Sequence, residues 1–230
     1  PMPARLHEQY PLRGLNSFGV EAQARWFCRV SSADDLAALA ADPRVAGLPR
    51  LVLGGGSNLL LTRDFDGLVI KVDVPGLREH GEAHDAWHVE VGAGENWHTT
   101  VERLLVMGRP GLENLALIPG SCGAAPVQNI GAYGLELAQR FASLTAWDFE
   151  PQRQVRVTAA ECAFGYRDSL FKRTPGRYAI TQLTLDLSKE PGVVAAYPDL
   201  QEEFEREGVI APTPEQVAAA VTRVRQAKLP

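Results

Sequence analysis

Cysteine is scarce in this 230-residue chain, and its three cysteines show neither a metal-binding nor a disulfide pattern. Cys28, Cys122 and Cys162 are odd in number, widely spaced and without a CxxC pair, which suits a reducing compartment. The five histidines also lack metal-ligand spacing. We therefore predict no metal, a cytoplasmic location and three buried thiols.

Long apolar runs and an excess of positive charge are absent as well. No segment is long enough for a transmembrane helix, and the N-terminal residues lack the charged-then-apolar pattern of a secretory signal. The net charge of −5 and the isoelectric point near 5.6 provide no general positive field for a polyanion. These features predict binding to neither membranes nor nucleic acids, and they are compatible with a local site for a small phosphorylated ligand.

Hydrophobic residues make up 45% of the chain, enough for a core in one large domain or two small ones. Apolar periodicity predicts strands at 24–30, 50–53, 67–72, 87–91, 144–149, 155–158 and 178–187, and helices at 33–41, 97–107 and 214–228. Pro75-Gly76 and the polar stretch 79–85 indicate a boundary. The predicted domains are 1–76 and 77–230.

Two glycine clusters follow predicted strands. Gly54-Gly-Gly-Ser-Asn58 allows backbone N–H groups to approach an anion without a Cβ in the way. It lacks the Lys-Ser/Thr pair of a P-loop and the third glycine of a Rossmann fingerprint. In the second cluster, 92–97, Trp97 stands where that third glycine would be. Taken singly, each cluster is more typical of a tight turn than of a phosphate site.

The stretch Ile118–Gly134 is rich in small residues and prolines and carries the amide side chains of Gln128 and Asn129. Such a segment offers approachable backbone donors and a flat wall, which a broad planar ring such as an isoalloxazine would need. A long surface loop without a special role would have the same composition. Composition alone favours neither interpretation.

Six separated motifs decide between these interpretations. They are Asn16-Ser-Phe-Gly19, Gly54-Gly-Gly-Ser-Asn58, Gly92-Ala-Gly-Glu-Asn-Trp97, Gly111-Leu-Glu-Asn-Leu-Ala-Leu-Ile-Pro-Gly120, Pro126-Val-Gln-Asn-Ile-Gly-Ala-Tyr-Gly134 and Phe164-Gly-Tyr-Arg-Asp-Ser169. In this order they resemble the UDP-N-acetylenolpyruvoylglucosamine reductase (MurB) family, over a match that runs from near Asn16 to Pro230.

This resemblance implies an α+β, two-domain, vanillyl-alcohol-oxidase-like (PCMH-type) fold that holds FAD non-covalently, with NADPH as hydride donor. In the family, the loop matching 54–58 binds the FAD pyrophosphate and the loop matching 118–134 wraps the flavin. The implied cofactor-binding residues are Gly54, Gly55, Gly56, Ser57, Asn58, Ile118, Pro119, Gly120, Gly123, Ala124, Ala125, Asn129, Gly131, Ala132 and Ile180. Ala124 and Ala125 stand where some relatives have serines that can hydrogen-bond the flavin, and backbone contacts could compensate.

The implied reaction converts UDP-N-acetylglucosamine enolpyruvate to UDP-N-acetylmuramate in peptidoglycan precursor synthesis. Hydride addition builds negative charge toward the substrate carboxylate, and Arg167 matches the family arginine that faces this charge. Without the motif, an ion pair with Asp168 would be the expected role of Arg167. Tyr166 is expected to contact the substrate or to pack in the same segment.

Two further residues match family positions near the substrate diphosphate. Tyr197 matches a substrate-binding tyrosine, and Pro198 departs from the glycine that usually follows it. Lys228 matches a family lysine, and it also suits a helix C-terminus on dipole grounds.

The family places its proton-donating serine and a catalytic glutamate in a third, substrate-binding domain. We expect that domain to be missing after Pro230. Because a positioned acid is worth about 10²–10⁴-fold in rate, we expect the chain alone to lack full activity.

Two alternatives stay open on the sequence. One is another flavin oxidoreductase of the same fold, such as an oxidase with FAD tethered covalently to histidine or cysteine. The other is a non-enzymatic nucleotide-binding module. The expected partners are the UDP-sugar substrate and NADPH, and no oligomeric state is predicted.

Overall fold

The computed structural model describes residues 5–82, 85–190 and 192–228, so the outer ends of the predicted domains, at residues 1 and 230, lie outside it. The described strands form a four-stranded sheet, a five-stranded sheet and a two-stranded hairpin, with helices packed around them. This is the predicted α+β architecture.

The smaller sheet combines antiparallel and parallel pairing. Its strands are β1 (Leu6–Pro11), β2 (Gln23–Val30), β3 (Arg50–Leu53) and β4 (Phe65–Val72). Their order is β1-β2-β4-β3, with β1 antiparallel to β2 and the other neighbours parallel. Helix α1 (Ala33–Ala40) connects β2 to β3, and Ser32 caps it by accepting the Asp35 N–H at 3.1 Å. Strand β1 was not predicted.

The larger sheet is antiparallel in the order β10-β9-β11-β6-β5. The remaining strands are β5 (Leu77–Glu82), β6 (Ala86–Gly92), β7 (Gly131–Ala132), β8 (Leu135–Glu136), β9 (Phe141–Asp148), β10 (Arg153–Thr158) and β11 (Tyr178–Ser188). The remaining α-helices are α2 (Trp97–Val106), α3 (Ala159–Cys162), α4 (Leu170–Arg173), α5 (Pro198–Glu207) and α6 (Pro214–Lys228). The predictions for α2, α6 and the strands of this sheet other than β5 are confirmed to within a few residues.

Strand β5 was not predicted. Part of the polar stretch 79–85 forms strand β5, whose exposed Arg78 and Glu79 suit a sheet edge that faces solvent. Helix α5 was missed. Its first residue is Pro198, a position where proline is pre-set for helix and costs no hydrogen bond.

The main hydrophobic core lies between the two sheets. Leu68 and Ile70 of β4 pack there with Val91 of β6 and Leu183 of β11, while Val69 faces a second cluster on the other side of the smaller sheet. This alternation follows from the two-residue period of a strand, and it explains why β4 is apolar on both faces.

The strands of the smaller sheet all lie between residues 6 and 72, and those of the larger sheet between 77 and 188. We propose Gly76–Leu77 as the boundary between the two subdomains. Since both sheets contribute residues to the main core, the two subdomains pack against each other through that core.

The three cysteines are free and buried. Burial raises the pKa of the Cys122 thiol to about 12, which keeps this thiol neutral. Among the helices that the structure describes, none is both long and apolar enough to cross a membrane. The described residues also hold no cluster of three or more metal-ligating side chains.

Candidate functional site

A cleft runs between the two sheets, below the carboxyl end of β3. It consists of two adjoining cavities of about 420 Å³ and about 250 Å³. Both are lined by Leu51–Gly54 and by Ser121, Ala124 and Val127, so they form two halves of one site. Their volumes and apolar walls are typical of a cofactor or ligand site.

The larger cavity brings together both segments predicted to bind the cofactor. The loop 54–58 forms one side, and residues of the segment 118–130 form the other. The predicted cofactor residues that line this cavity are Gly54, Gly55, Gly56, Ser57, Asn58, Ile118, Pro119, Ala124 and Ala125.

The two segments touch at Gly55 and Gly120. A Cβ built on Gly55 would lie 2.7 Å from the Gly120 Cα, far inside normal contact, so only glycine permits this approach. The Ser57 Oγ also donates to the Pro119 carbonyl oxygen at 3.3 Å. The cleft therefore depends on a direct backbone contact between segments more than 60 positions apart in the sequence.

The carbonyl groups of the loop 54–58 are held by the rest of the protein. The Gly54 oxygen accepts from Lys71 Nζ at 2.8 Å, and the Gly56 oxygen accepts from the Ser17 N–H at 3.1 Å. Within the described part of the chain, no acceptor is recorded for the N–H groups of residues 55–58. Consecutive backbone N–H groups without protein acceptors form a concave site for an anion such as a phosphate.

Lys71 lies under this loop as a mostly buried cation. Its ammonium also contacts Asp73 at 2.9 Å, and Asp73 pairs with Arg29. Burial alone would raise the pKa of Asp73, but the hydrogen bonds from Lys71 and Arg29 outweigh it and lower that pKa. The ionised Asp73 therefore fixes the position of Lys71 beside the Gly54 carbonyl.

The opposite wall consists of small residues on a 3₁₀ helix, Cys122–Gln128. The second glycine cluster supports this wall by backbone pairing. The Trp97 N–H donates to the Gly120 oxygen at 3.0 Å, and the Gly123 N–H donates to the Ala93 oxygen at 2.9 Å. The cluster 92–97 thus positions the wall.

The smaller cavity carries the cations of the cleft. Arg50 and Lys172 line it together with Gly123 and Ile180, two of the predicted cofactor residues. Arg50 Nε donates to the Gly176 oxygen at 2.9 Å, which holds the guanidinium at the cavity wall.

The other predicted cofactor residues do not line either cavity. Gly120 lies behind the wall at the contact with Gly55. The Asn129 side chain is buried and donates to Glu136 Oε2 at 3.0 Å and to the Gly165 oxygen at 3.1 Å, which ties the loop to the neighbouring segment. Gly131 and Ala132 form β7.

Arg167 contacts the loop predicted to wrap the flavin. Its Nη2 donates to the Gly131 oxygen at 2.5 Å, and its Nη1 makes a weaker 3.4 Å contact with the Asn129 oxygen. Asp168 pairs with Arg173, so the ion pair considered as the alternative role of Arg167 is not formed. Among the residues described, no carboxylate pairs with the half-buried Arg167.

Tyr197 and Lys228 meet at a second location, beside Tyr133. The Tyr197 and Tyr133 rings pack edge to face with centroids 5.3 Å apart, and Lys228 Nζ contacts Asp199 at 2.6 Å. Burial raises the pKa of Tyr133, and the positive charges of Arg225 and Lys228 oppose that shift, which places Lys228 in the same cluster.

Tyr166 is 82% exposed. The Arg167 Cζ lies over the Tyr166 ring, 5.3 Å from the ring centroid. Of the four predicted catalytic and substrate residues, none lines the cleft itself. Arg167 adjoins it through its hydrogen bonds to residues 129 and 131.

Lys71 and Ser121 belong to the site and were not predicted. The only signal for Lys71 is a charged residue within the apolar run of β4. Ser121 lies within the small-residue stretch, and nothing in the sequence distinguishes it from an ordinary serine in a loop.

Comparison with known proteins agrees with this geometry. A family model described as an FAD binding domain matches residues 24–150. The UDP-N-acetylenolpyruvoylglucosamine reductase of Burkholderia cenocepacia is 50% identical over 238 aligned residues, covering 100% of this chain and 68% of the relative. The enzyme of the same name from Cupriavidus pinatubonensis is 52% identical, over 99% of this chain and 67% of the relative.

Solved structures give the same fold. The crystal structure of UDP-N-acetylenolpyruvylglucosamine reductase from Thermus caldophilus matches with a TM-score of 0.68 at 24% identity, covering 98% of this chain and 70% of that one. Glucooligosaccharide oxidase from Acremonium strictum matches with a TM-score of 0.56 at 14% identity, over 81% of this chain and 41% of that one. The fold is therefore the vanillyl-alcohol-oxidase-like FAD-binding fold, and the chain belongs to the UDP-N-acetylenolpyruvoylglucosamine reductase family.

Proposed function

We propose that this chain is the FAD-binding portion of a cytoplasmic, NADPH-dependent reductase that converts UDP-N-acetylglucosamine enolpyruvate to UDP-N-acetylmuramate for peptidoglycan precursor synthesis. One observation carries the proposal. The N–H groups of the loop 54–58 have no recorded acceptor among the described residues, and this loop lines a cleft whose other wall is built from small residues. The reductase names of the curated relatives support the substrate and the reaction.

The residues present fit FAD at both ends. The loop 54–58 supplies backbone donors for the diphosphate, with the Lys71 cation behind it. Ala124 and Ala125 form a flat apolar surface that a planar ring can cover. Since neither alanine offers a hydroxyl, orientation of the ring falls to backbone groups.

The chemistry that FAD supplies when bound is hydride transfer from NADPH to the enolpyruvyl group of the substrate. Arg167 would stabilise the negative charge that develops toward the substrate carboxylate. Its hydrogen bond to the Gly131 oxygen fixes the guanidinium on the flavin loop, which makes it a pre-positioned donor.

The diphosphate of the UDP-sugar is assigned to the second cluster. Lys228 would supply positive charge there, and the partly exposed Tyr197 would supply a hydroxyl. Tyr166 would contact the substrate from the exposed side of Arg167. These roles rest on the family resemblance, and in the structure Tyr197 and Lys228 form a cluster beside Tyr133.

The proposal predicts that the purified chain binds FAD with one-to-one stoichiometry and without a covalent bond. The measurement is a titration of the apo protein followed by flavin fluorescence and the visible spectrum, and then precipitation with acid. Yellow colour released into the acid supernatant is the expected result. Absence of FAD binding would reject the proposal, and colour retained in the pellet would favour an oxidase with tethered flavin.

A second prediction concerns Lys71. Replacing Lys71 with methionine removes the hydrogen bond that holds the Gly54 carbonyl and removes a cation near the phosphate loop. We expect the dissociation constant for FAD to rise by about tenfold, the usual worth of one hydrogen bond to a charged group.

Arg29→Gln provides the matched control. Arg29 pairs with the same Asp73, but its side chain makes no recorded hydrogen bond to the loop 54–58. FAD affinity of Arg29→Gln should stay within about twofold of wild type. Equal affinity losses in the two variants would assign the effect to the ion-pair network as a whole and reject the specific role of Lys71.

A further inference from the structure

The Ser121 hydroxyl is a buried polar group without a partner. The residue is only 6% exposed, and its Oγ has no hydrogen bond to any described residue. Other described side chains also hold such atoms, but Ser121 is the one of them that lines the cleft. Buried hydroxyl groups normally have a partner, so this one calls for a ligand.

The position of Ser121 is fixed by its backbone. Its carbonyl oxygen accepts from the Ala124 N–H at 3.0 Å, and the adjacent Cys122 N–H donates to the Glu95 oxygen at 2.8 Å. Asn96 and Ser121 form a β-bridge. The residue is thus anchored on both sides, and its hydroxyl is held in the cleft wall.

The Ser121 hydroxyl lies against the first residue of the loop 54–58. A Cβ built on Gly54 would lie 2.5 Å from the Ser121 Oγ, so the glycine at position 54 is what leaves space for the hydroxyl. Ser121 also lines both cavities, at the junction between the loop 54–58 and the small-residue wall.

We propose that the Ser121 Oγ donates a hydrogen bond to a diphosphate oxygen of the bound dinucleotide. The inference rests on the proposed function and deepens it, because it assigns a side-chain donor to a site otherwise built from backbone. An anionic oxygen is the favoured acceptor, since hydrogen bonds to charged groups are the stronger ones. The same bond would help to retain FAD in a chain whose Ala124 and Ala125 carry no hydroxyl.

The test compares Ser121→Ala with the wild-type chain. We expect the dissociation constant for FAD to rise by roughly tenfold. The visible spectrum and the reduction potential of the bound flavin should not change, because the diphosphate is electronically separate from the ring. The melting temperature of the apo protein should be unchanged or higher, since the substitution removes an unpartnered hydroxyl.

Two further variants separate hydrogen bonding from packing. Ser121→Cys retains the side-chain size but offers only a weak donor, so it should lose affinity like Ser121→Ala. Ser143→Ala is the control for removal of a buried hydroxyl elsewhere, because Ser143 Oγ accepts from Arg156 Nε at 3.2 Å on strand β9. It should lower the melting temperature and leave FAD affinity unchanged.

Three results would contradict these expectations, and each would overturn a different claim. Wild-type affinity in Ser121→Ala, in a wild-type chain that binds FAD, would overturn the inference about Ser121 and leave the proposed function standing. A shifted flavin spectrum or potential would place the contact on the ring and overturn the diphosphate assignment. Failure of the wild-type chain to bind FAD would reject the proposed function and this inference together.

Discussion

A Gly55→Ala variant is expected to bind FAD about 10- to 100-fold more weakly than the wild-type chain, as overpacking of a tight contact costs about 1–3 kcal/mol. The added Cβ would lie 2.7 Å from the Gly120 Cα and 3.2 Å from the Ser121 N. Both are backbone atoms, which cannot rotate away like a side chain. The loop 54–58 and the segment 118–130 must therefore separate, which changes the spacing of the cleft in which we propose that FAD binds.

The measurement is a fluorescence titration of apo protein with FAD, with thermal unfolding of the apo protein as a check on folding. Gly192→Ala is the matched control. A Cβ on Gly192 would meet nothing within 4 Å, and its φ is not positive, so the substitution should leave affinity unchanged. Wild-type affinity in Gly55→Ala would mean that the contact between the two loops does not shape the cofactor site.

Much of this architecture could be predicted from local pattern. Strand β4 has a continuous apolar run and helices α2 and α6 have clear apolar periodicity, and the structure places all three within a few residues of prediction. Strands β1 and β5 lie at sheet edges, where solvent-facing residues dilute the alternation. Their pairing partners decide their structure, and a single segment does not carry that information.

The candidate site likewise contains segments that could be predicted from the sequence and residues that could not. The glycine loop 54–58 and the segment 118–134 were predicted because their motifs match those of the reductase family, since composition alone favoured neither as a cofactor site. The structure places the two segments in contact. Lys71 and Ser121 could not be predicted, because each lies in the site through a contact with Gly54, a residue distant in sequence. Asn129 is the opposite case. It was predicted as a cofactor-binding residue, and its side chain instead ties the loop to Glu136 and Gly165.

Arg167 illustrates how tertiary contacts decide between two roles. Its neighbour Asp168 would be the natural ion-pair partner by sequence, but Asp168 pairs with Arg173. The backbone of Arg167 has φ of +52°, a conformation that non-glycine residues seldom adopt. Strained residues of this kind cluster at functional sites, where the surrounding structure enforces them.

Arg167→Ala is therefore expected to lower kcat by about 10²–10³-fold, the usual cost of removing one pre-positioned donor to a developing charge. FAD content should stay near that of the wild type, because Arg167 lines neither cavity of the cleft. The assay follows NADPH oxidation with UDP-N-acetylglucosamine enolpyruvate, in a polypeptide of the relatives' full length that contains these residues. Flavin content is measured on the same samples from the visible spectrum.

Two control variants sharpen this test. Arg167→Lys keeps the charge but loses the planar fork that binds a carboxylate with two parallel hydrogen bonds, so its kcat should fall between those of Arg167→Ala and the wild type. Arg173→Ala removes a neighbouring, partly exposed arginine whose partner is Asp168, and it should leave kcat within a few-fold of wild type. If Arg167→Ala and Arg173→Ala slowed turnover equally, the effect would belong to the segment 165–173 as a folded unit. Unchanged turnover in Arg167→Ala would remove Arg167 from the mechanism.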